Sequence, residues 1–257
     1  MNYLPSFELT DQVVVVTGGG KGIGRAVAIG AAEAGADVAI LARTSSDIQE
    51  TAGLIRDKGR KAYPIQTDIT SKQEIEEAVS QIYQEAGKIN VLINNAGMNI
   101  RSKASDVTEN EWNKIFQTNL QGAFFMSQAC AAIMREHGGG KIINVSSVAG
   151  HVALRTGVVY AATKAGMIQM TKNLALEWAE DRISVNAIGP WYFRTPLTDQ
   201  LLENKEYLED ILSRTPMNRV GELKDLVGAA VFLSSEASDY MTGQTLFVDG
   251  GMTIYGF

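Results

Sequence analysis

Val13-Val14-Val15-Val16-Thr17-Gly18-Gly19-Gly20-Lys21-Gly22-Ile23-Gly24 is an apolar run that breaks into a glycine-rich turn, and a stretch of helical spacing follows it. Four consecutive valines without polar alternation describe a strand buried on both faces, as in a parallel sheet. Glycines permit a tight turn and let backbone approach a pyrophosphate. The N-terminus of the next helix supplies N–H donors and positive dipole. A turn can be glycine-rich for steric reasons alone, but its place between a strand and a helix predicts a dinucleotide site at Gly18, Gly20, Lys21, Gly22, Ile23 and Gly24. No Gly-Lys-Ser/Thr follows, so the loop is not a P-loop.

The same alternation continues along the chain. Strand-like runs fall at Val13–Thr17, Val38–Leu41, Ala62–Ile65, Val91–Asn94, Lys141–Asn144, Ser184–Ile188 and Thr245–Val248. Helical spacing falls at Ile23–Ala34, Asp47–Lys58, Lys72–Ala86, Glu109–Glu136, Val158–Ala179 and Leu223–Leu233. Alternating strands and helices make βαβ units with right-handed crossovers. The expected fold is α/β: a doubly wound, Rossmann-like parallel sheet of seven strands with helices on both faces. No repeat or linker divides it, so residues 1–257 read as one dinucleotide-binding and catalytic domain. Residues 190–216 depart from the alternation, with three of the five prolines, three adjacent aromatics and a charged helical stretch near Leu197–Leu212. An insertion after a strand at the carboxyl edge is either a substrate lid or an ordinary surface helix.

Composition narrows the function. A net charge of −6 argues against a nucleic-acid binder, which carries a basic surplus. The single cysteine, Cys130, permits no internal disulfide and indicates a reducing compartment. No basic-then-apolar leader and no apolar run of membrane-spanning length is present, so a cytoplasmic protein with no membrane partner is expected. Two histidines and one cysteine offer no metal cluster.

Cofactor choice is read after the second strand. An acid about 20 residues past the glycines would bind the ribose 2′-hydroxyl of NAD. This chain instead reads Ile40-Leu41-Ala42-Arg43-Thr44-Ser45. Arg43, with Thr44 beside it, and Lys21 from the glycine loop can meet a 2′-phosphate through charge-assisted hydrogen bonds. The reading is NADP(H) rather than NAD(H); the alternative leaves both cations as solvated surface charges. Asp68, followed by Ile69, is placed to meet the adenine amino group.

Tyr160 and Lys164 are four residues apart and therefore one turn apart on one helix face. A cation about 4 Å from a phenol in a partly screened site is worth roughly 4 kcal/mol, or about three pK units. Such a lysine, aided by a cationic nicotinamide, would bring Tyr160 toward neutrality. Ser147 ends the fifth strand and Asn94-Asn95-Ala96-Gly97 the fourth, both at the carboxyl edge. Asn119 lies inside the following helix, where an amide is a mild penalty.

With these motifs, in this order, and with Ser147 thirteen residues before Tyr160 and Asp249-Gly250-Gly251 near the end, the chain resembles the short-chain dehydrogenase/reductase family over nearly its whole length. The resemblance implies hydride transfer between nicotinamide C4 and a carbonyl carbon. Tyr160 would be the acid–base, Ser147 would polarise the oxygen, Lys164 would bind the ribose and lower the Tyr160 pKa, and Asn119 would hold a relay water. It also places Thr17, Asn95, Ala96, Gly97, Pro190 and Thr195 at the cofactor. Gly189-Pro190-Trp191 departs from the usual Pro-Gly order, and Trp191 is expected to narrow the pocket or reshape the loop carrying Thr195. Within the family the chain is similar to sugar-acid enzymes such as gluconate 5-dehydrogenase, and also to 3-oxoacyl-acyl-carrier-protein and tropinone-type reductases. Asn99, Arg101, His151, Arg155, Trp191 and Tyr192 are expected around a small carbonyl or alcohol substrate, with Arg101, His151 and Arg155 as carboxylate receptors or as solvated groups. Relatives that only sense NADP(H) lose the tyrosine or lysine, and this chain keeps both. The family further implies a homo-oligomer, most often a tetramer, through the Glu109–Glu136 and Val158–Ala179 helices.

Overall fold

The computed structural model describes residues 3–255. Among them, seven parallel strands pair in the order β3-β2-β1-β4-β5-β6-β7. The strands are β1 (Val13–Thr17), β2 (Asp37–Ala42), β3 (Ala62–Gln66), β4 (Val91–Asn94), β5 (Gly140–Val145), β6 (Ile183–Pro190) and β7 (Thr245–Val248). Side chains alternate across each strand. Val14 and Val16 therefore join one core with Val27, Ile48, Ile55 and Leu226, while Val13 and Val15 join another with Ile75, Ile82, Met126 and Leu174. On the first face lie α1 (Gly22–Glu33), α2 (Ser45–Arg56) and α9 (Leu223–Ser234); on the second lie α3 (Lys72–Ala86), α5 (Gly122–Glu136) and α6 (Val158–Trp178).

The expected Glu109–Glu136 helix is present but is not α-helical throughout. It divides into α4 (Glu109–Phe116), a π turn at Gln117–Gln121 and α5. The wider turn carries Asn119, fully buried, whose side chain locks onto the loop after β4. That contact spans 21 residues, so helical periodicity alone gives no sign of the break. The helical stretch expected near Leu197–Leu212 is two helices, α7 (Asp199–Glu203) and α8 (Lys205–Ser213). The division falls at Asn204, whose side chain accepts a hydrogen bond from the Tyr207 N–H and starts a new helix.

The order reverses direction between β1 and β4, which opens a crevice above their carboxyl ends. Asn94 and Asn144, paired in register at the tips of β4 and β5, hold this edge. Asn94 donates to Asn144 Oδ1 at 2.9 Å, and Asn144 donates to Thr171 of α6 at 2.9 Å. The buried chain of amides fixes α6, and with it Tyr160 and Lys164, against the sheet.

Candidate active site

Two cavities meet at the glycine loop. One of about 320 Å³ is lined by Gly18, Gly22, Gly24, Ser147, Tyr160 and Lys164; the other, of about 200 Å³, by Gly20, Lys21, Arg43, Thr44, Asp68 and Ile69. Gly18, Lys21, Ala96, Gly97 and Met98 belong to both. Ile23, Asn95, Pro190, Trp191 and Thr195 complete the first. This cleft fits an extended dinucleotide. Gly18 has φ of +65°, and a Cβ on Gly24 would lie 2.3 Å from the Gly18 carbonyl oxygen, so side chains are excluded from the turn. Lys21 caps α1 with backbone only, and no acid occupies the first turn, leaving its N–H groups free to meet a phosphate.

Thr17 is a bracket behind the cleft. Its buried hydroxyl accepts from the Asn95 and Ala96 N–H groups at 3.0 and 3.1 Å, joining the ends of β1 and β4. Asn119 is likewise off the cavity wall. It accepts from Met98 N at 2.7 Å and donates to Met98 O at 2.9 Å and Thr163 Oγ1 at 3.2 Å, so it holds the β4 loop to α6.

Ser147 and Tyr160 line the same cavity wall, and the Lys164 ammonium lies 5.7 Å from the Tyr160 ring centroid. Lys164 is buried and donates to Val145 O at 2.7 Å; burial lowers its pKa to about 8. Tyr160 does not move toward neutrality in the protein alone. Burial raises its pKa above the ordinary phenol value, and the nearby Ser147 hydroxyl and Arg101 charge recover only part of that rise. Desolvation outweighs the attraction that the spacing of Tyr160 and Lys164 suggests.

The candidate substrate residues separate. Trp191 is a wall shared by the catalytic cavity and a second cavity of about 370 Å³ beneath the 190–216 segment, which Arg155, Tyr192 and Tyr207 also line. Its indole N–H is tied to Thr215 Oγ1 at 3.0 Å, and Thr195 lies against Gly22 of the glycine loop. Arg101 donates to Tyr207 Oη at 2.8 Å and Tyr192 Oη at 3.5 Å, and these two hydroxyls are 2.5 Å apart. Burial works against the Arg101 charge, but the two tyrosines more than compensate and raise its pKa. Arg155 is largely exposed and paired with Asp210 at 2.6 Å. His151 is exposed, packs on Phe247 at 4.9 Å and lines neither the catalytic cavity nor the one beneath the 190–216 segment. Asn99 donates to Thr156 O, behind the rim.

Several site residues are not singled out by sequence motifs: Met98 and Thr198 on the walls, Tyr207 and Asp210 in α8, and Asp47, which pairs with Lys21 at 3.0 Å. Only the run Gly97-Met98-Asn99 beside a known motif could have suggested the first of these.

Comparison with known proteins agrees with this geometry. The family model described as enoyl-(acyl carrier protein) reductase matches residues 18–253. A tropinone reductase homolog of Arabidopsis thaliana is 39% identical, over 98% of this chain and 96% of the relative. Gluconate 5-dehydrogenase of Gluconobacter oxydans is 36% identical over 99% of both chains. The crystal structure of a gluconate 5-dehydrogenase from Burkholderia cenocepacia, in complex with NADP and tartrate, superposes with a TM-score of 0.95 at 37% identity, covering 99% of this chain and 100% of that one. With its parallel sheet, glycine cradle and Ser-Tyr-Lys cavity, the chain belongs to the short-chain dehydrogenase/reductase family of oxidoreductases.

Proposed function

We propose that the protein is an NADP(H)-dependent oxidoreductase that interconverts a ketone and a secondary alcohol on a small sugar acid. The observation that carries this reading is one cavity in which the Ser147–Tyr160 pair and Lys164 face the glycine cradle. NADP(H), when bound, supplies or accepts the hydride at nicotinamide C4. Gly18, Gly22, Ile23 and Gly24 would hold its pyrophosphate, Thr195 and Pro190 its nicotinamide end, and Asp68 and Ile69 its adenine. Arg43, Thr44 and Lys21, which line one cavity, would meet its 2′-phosphate.

Tyr160, with its pKa raised, is protonated at neutral pH and poised to donate its phenolic proton to a carbonyl oxygen. Ser147, which lines the same cavity as Tyr160, would orient that oxygen. Lys164 keeps a positive charge below pH about 8 and stabilises the tyrosinate left behind. In oxidation Tyr160 takes the proton, so that direction gains rate as pH rises. Asn119 is a positioning residue that keeps Met98 and Thr163 in place.

The sugar-acid assignment rests on the Arg101 charge, held by Tyr192 and Tyr207 and close enough to draw down the Tyr160 pKa, and on the similarity to gluconate 5-dehydrogenases. A second reading, an uncharged cyclic ketone, is favoured by the apolar walls Met98, Trp191, Phe193 and Leu197 and by the tropinone reductase homologs. The test is consumption of NADPH and of NADH, each with a keto-gluconate, a cyclic ketone and a 3-oxoacyl thioester. Activity with NADPH and the keto acid that falls about 10²- to 10⁴-fold in Tyr160→Phe is expected. Turnover equal to wild type in that variant overturns the mechanism, and turnover of the cyclic ketone alone favours the second reading.

A further inference from the structure

The cavity beside Arg43 contains an acid that its strand does not supply. Asp47, in the first turn of α2, puts its carboxylate 3.0 Å from the Lys21 ammonium, and its side chain is only 18% exposed against 60% for Lys21. It is wedged against the glycine loop, since a Cβ on Gly20 would lie 2.8 Å from the Asp47 Cβ. The position is therefore set by packing as well as by charge.

The charge balance differs from that of Lys21 and Arg43 taken alone. Lys21 and Arg43 contribute two positive charges to this cavity, and Asp47 and Asp68 two negative ones, so its formal charge is zero. Arg25 cannot restore the balance: it is committed to Glu50 at 2.8 and 2.9 Å and to Gly20 O at 2.7 Å. A phosphate monoester carries nearly two negative charges at neutral pH and would have to share Lys21 with Asp47. A ribose 2′-hydroxyl meets no such opposition, because a carboxylate accepts its hydrogen bond.

We propose that Asp47 is a cofactor-specificity residue that holds Lys21 and disfavours a 2′-phosphate, so that NAD(H) competes with NADP(H) at this site. The inference rests on the cavity's assignment as the adenosine end of the cofactor cleft. It makes this chain a dual-cofactor protein whose acid comes from α2 rather than from the tip of β2.

Binding of NADP⁺, NAD⁺ and adenosine 2′,5′-bisphosphate to wild type, Asp47→Asn and Asp47→Glu, followed by titration calorimetry at two salt concentrations, tests it. In Asp47→Asn the preference for NADP⁺ over NAD⁺ should rise about tenfold, the expected scale of one charge pair about 3 Å apart that is screened largely by water, as the exposure of Lys21 implies. The gain should reside in the 2′-phosphate ligands and shrink at high salt, and Asp47→Glu should keep the wild-type ratio. An unchanged ratio in Asp47→Asn, or equal weakening of both cofactors, overturns the proposal and leaves Asp47 a helix-end residue. Arg43→Ala separates the two readings. If it leaves NADP⁺ affinity untouched, the 2′-phosphate assignment of the cavity fails, whatever Asp47→Asn does to the ratio.

Discussion

Lys164→Met should stabilise the cofactor-free protein at neutral pH and destabilise it at high pH. Lys164 is 4% exposed and its pKa falls from 10.5 to about 8. The unfolded chain therefore binds a proton more tightly than the folded one between these values. Below pH 8 the full cost of burying the charge applies, about 3 kcal/mol for the shift. Stability then rises as pH climbs from 8 to 10.5 and the folded lysine is neutral while the unfolded one is still charged. Methionine is close in shape and has no charge to bury, but it loses the hydrogen bond to Val145 O, worth about 1–2 kcal/mol. The variant should be more stable than wild type by about 1–2 kcal/mol at pH 7 and less stable by a similar amount near pH 10.5. Urea unfolding of both proteins across this range, followed by circular dichroism, gives the difference directly and cancels the titration of shared tyrosines. A difference that stays constant with pH would refute the reasoning, because it would mean that Lys164 is not buried as a cation. The same variant should be inactive, which makes it a case where the site is held against stability.

Gly24→Ala should abolish dinucleotide binding, since its Cβ would fall 2.3 Å from Gly18 O and 2.4 Å from Asn95 Nδ2. A stability loss of about 1–3 kcal/mol from overpacking should accompany it, read by thermal melting with and without NADP⁺. Tyr207→Phe removes the hydroxyl that holds Arg101 and should raise KM several-fold for a keto acid while leaving an uncharged ketone unaffected. An equal loss for both substrates would show that Tyr207 only supports the fold of the 190–216 segment.

The positions of the strands and most helices follow from the amino-acid order because burial on one or both sides imposes a period that local sequence reveals. Val13–Val16 shows it for a strand covered on both faces, and the Tyr160–Lys164 spacing for one face of a helix. The glycine turn is equally local: its positive φ at Gly18 and Gly22 and its lack of room for side chains belong to one short segment. Ser147 and Tyr160 could be placed together because both sit at ends of elements whose edges the fold class already defines. Packing between distant segments settled the rest. The π turn at Asn119 depends on Met98, the partners of Arg101 and Arg155 on α8, and the state of Tyr160 on the water that its neighbours exclude. Lys21 and Arg43 were visible as cations, but Asp47 meets Lys21 only when α2 folds back over the glycine loop. Charge and hydrogen-bond energies depend on distance in space and on burial, and neither is a function of position along the chain until the crossovers have packed.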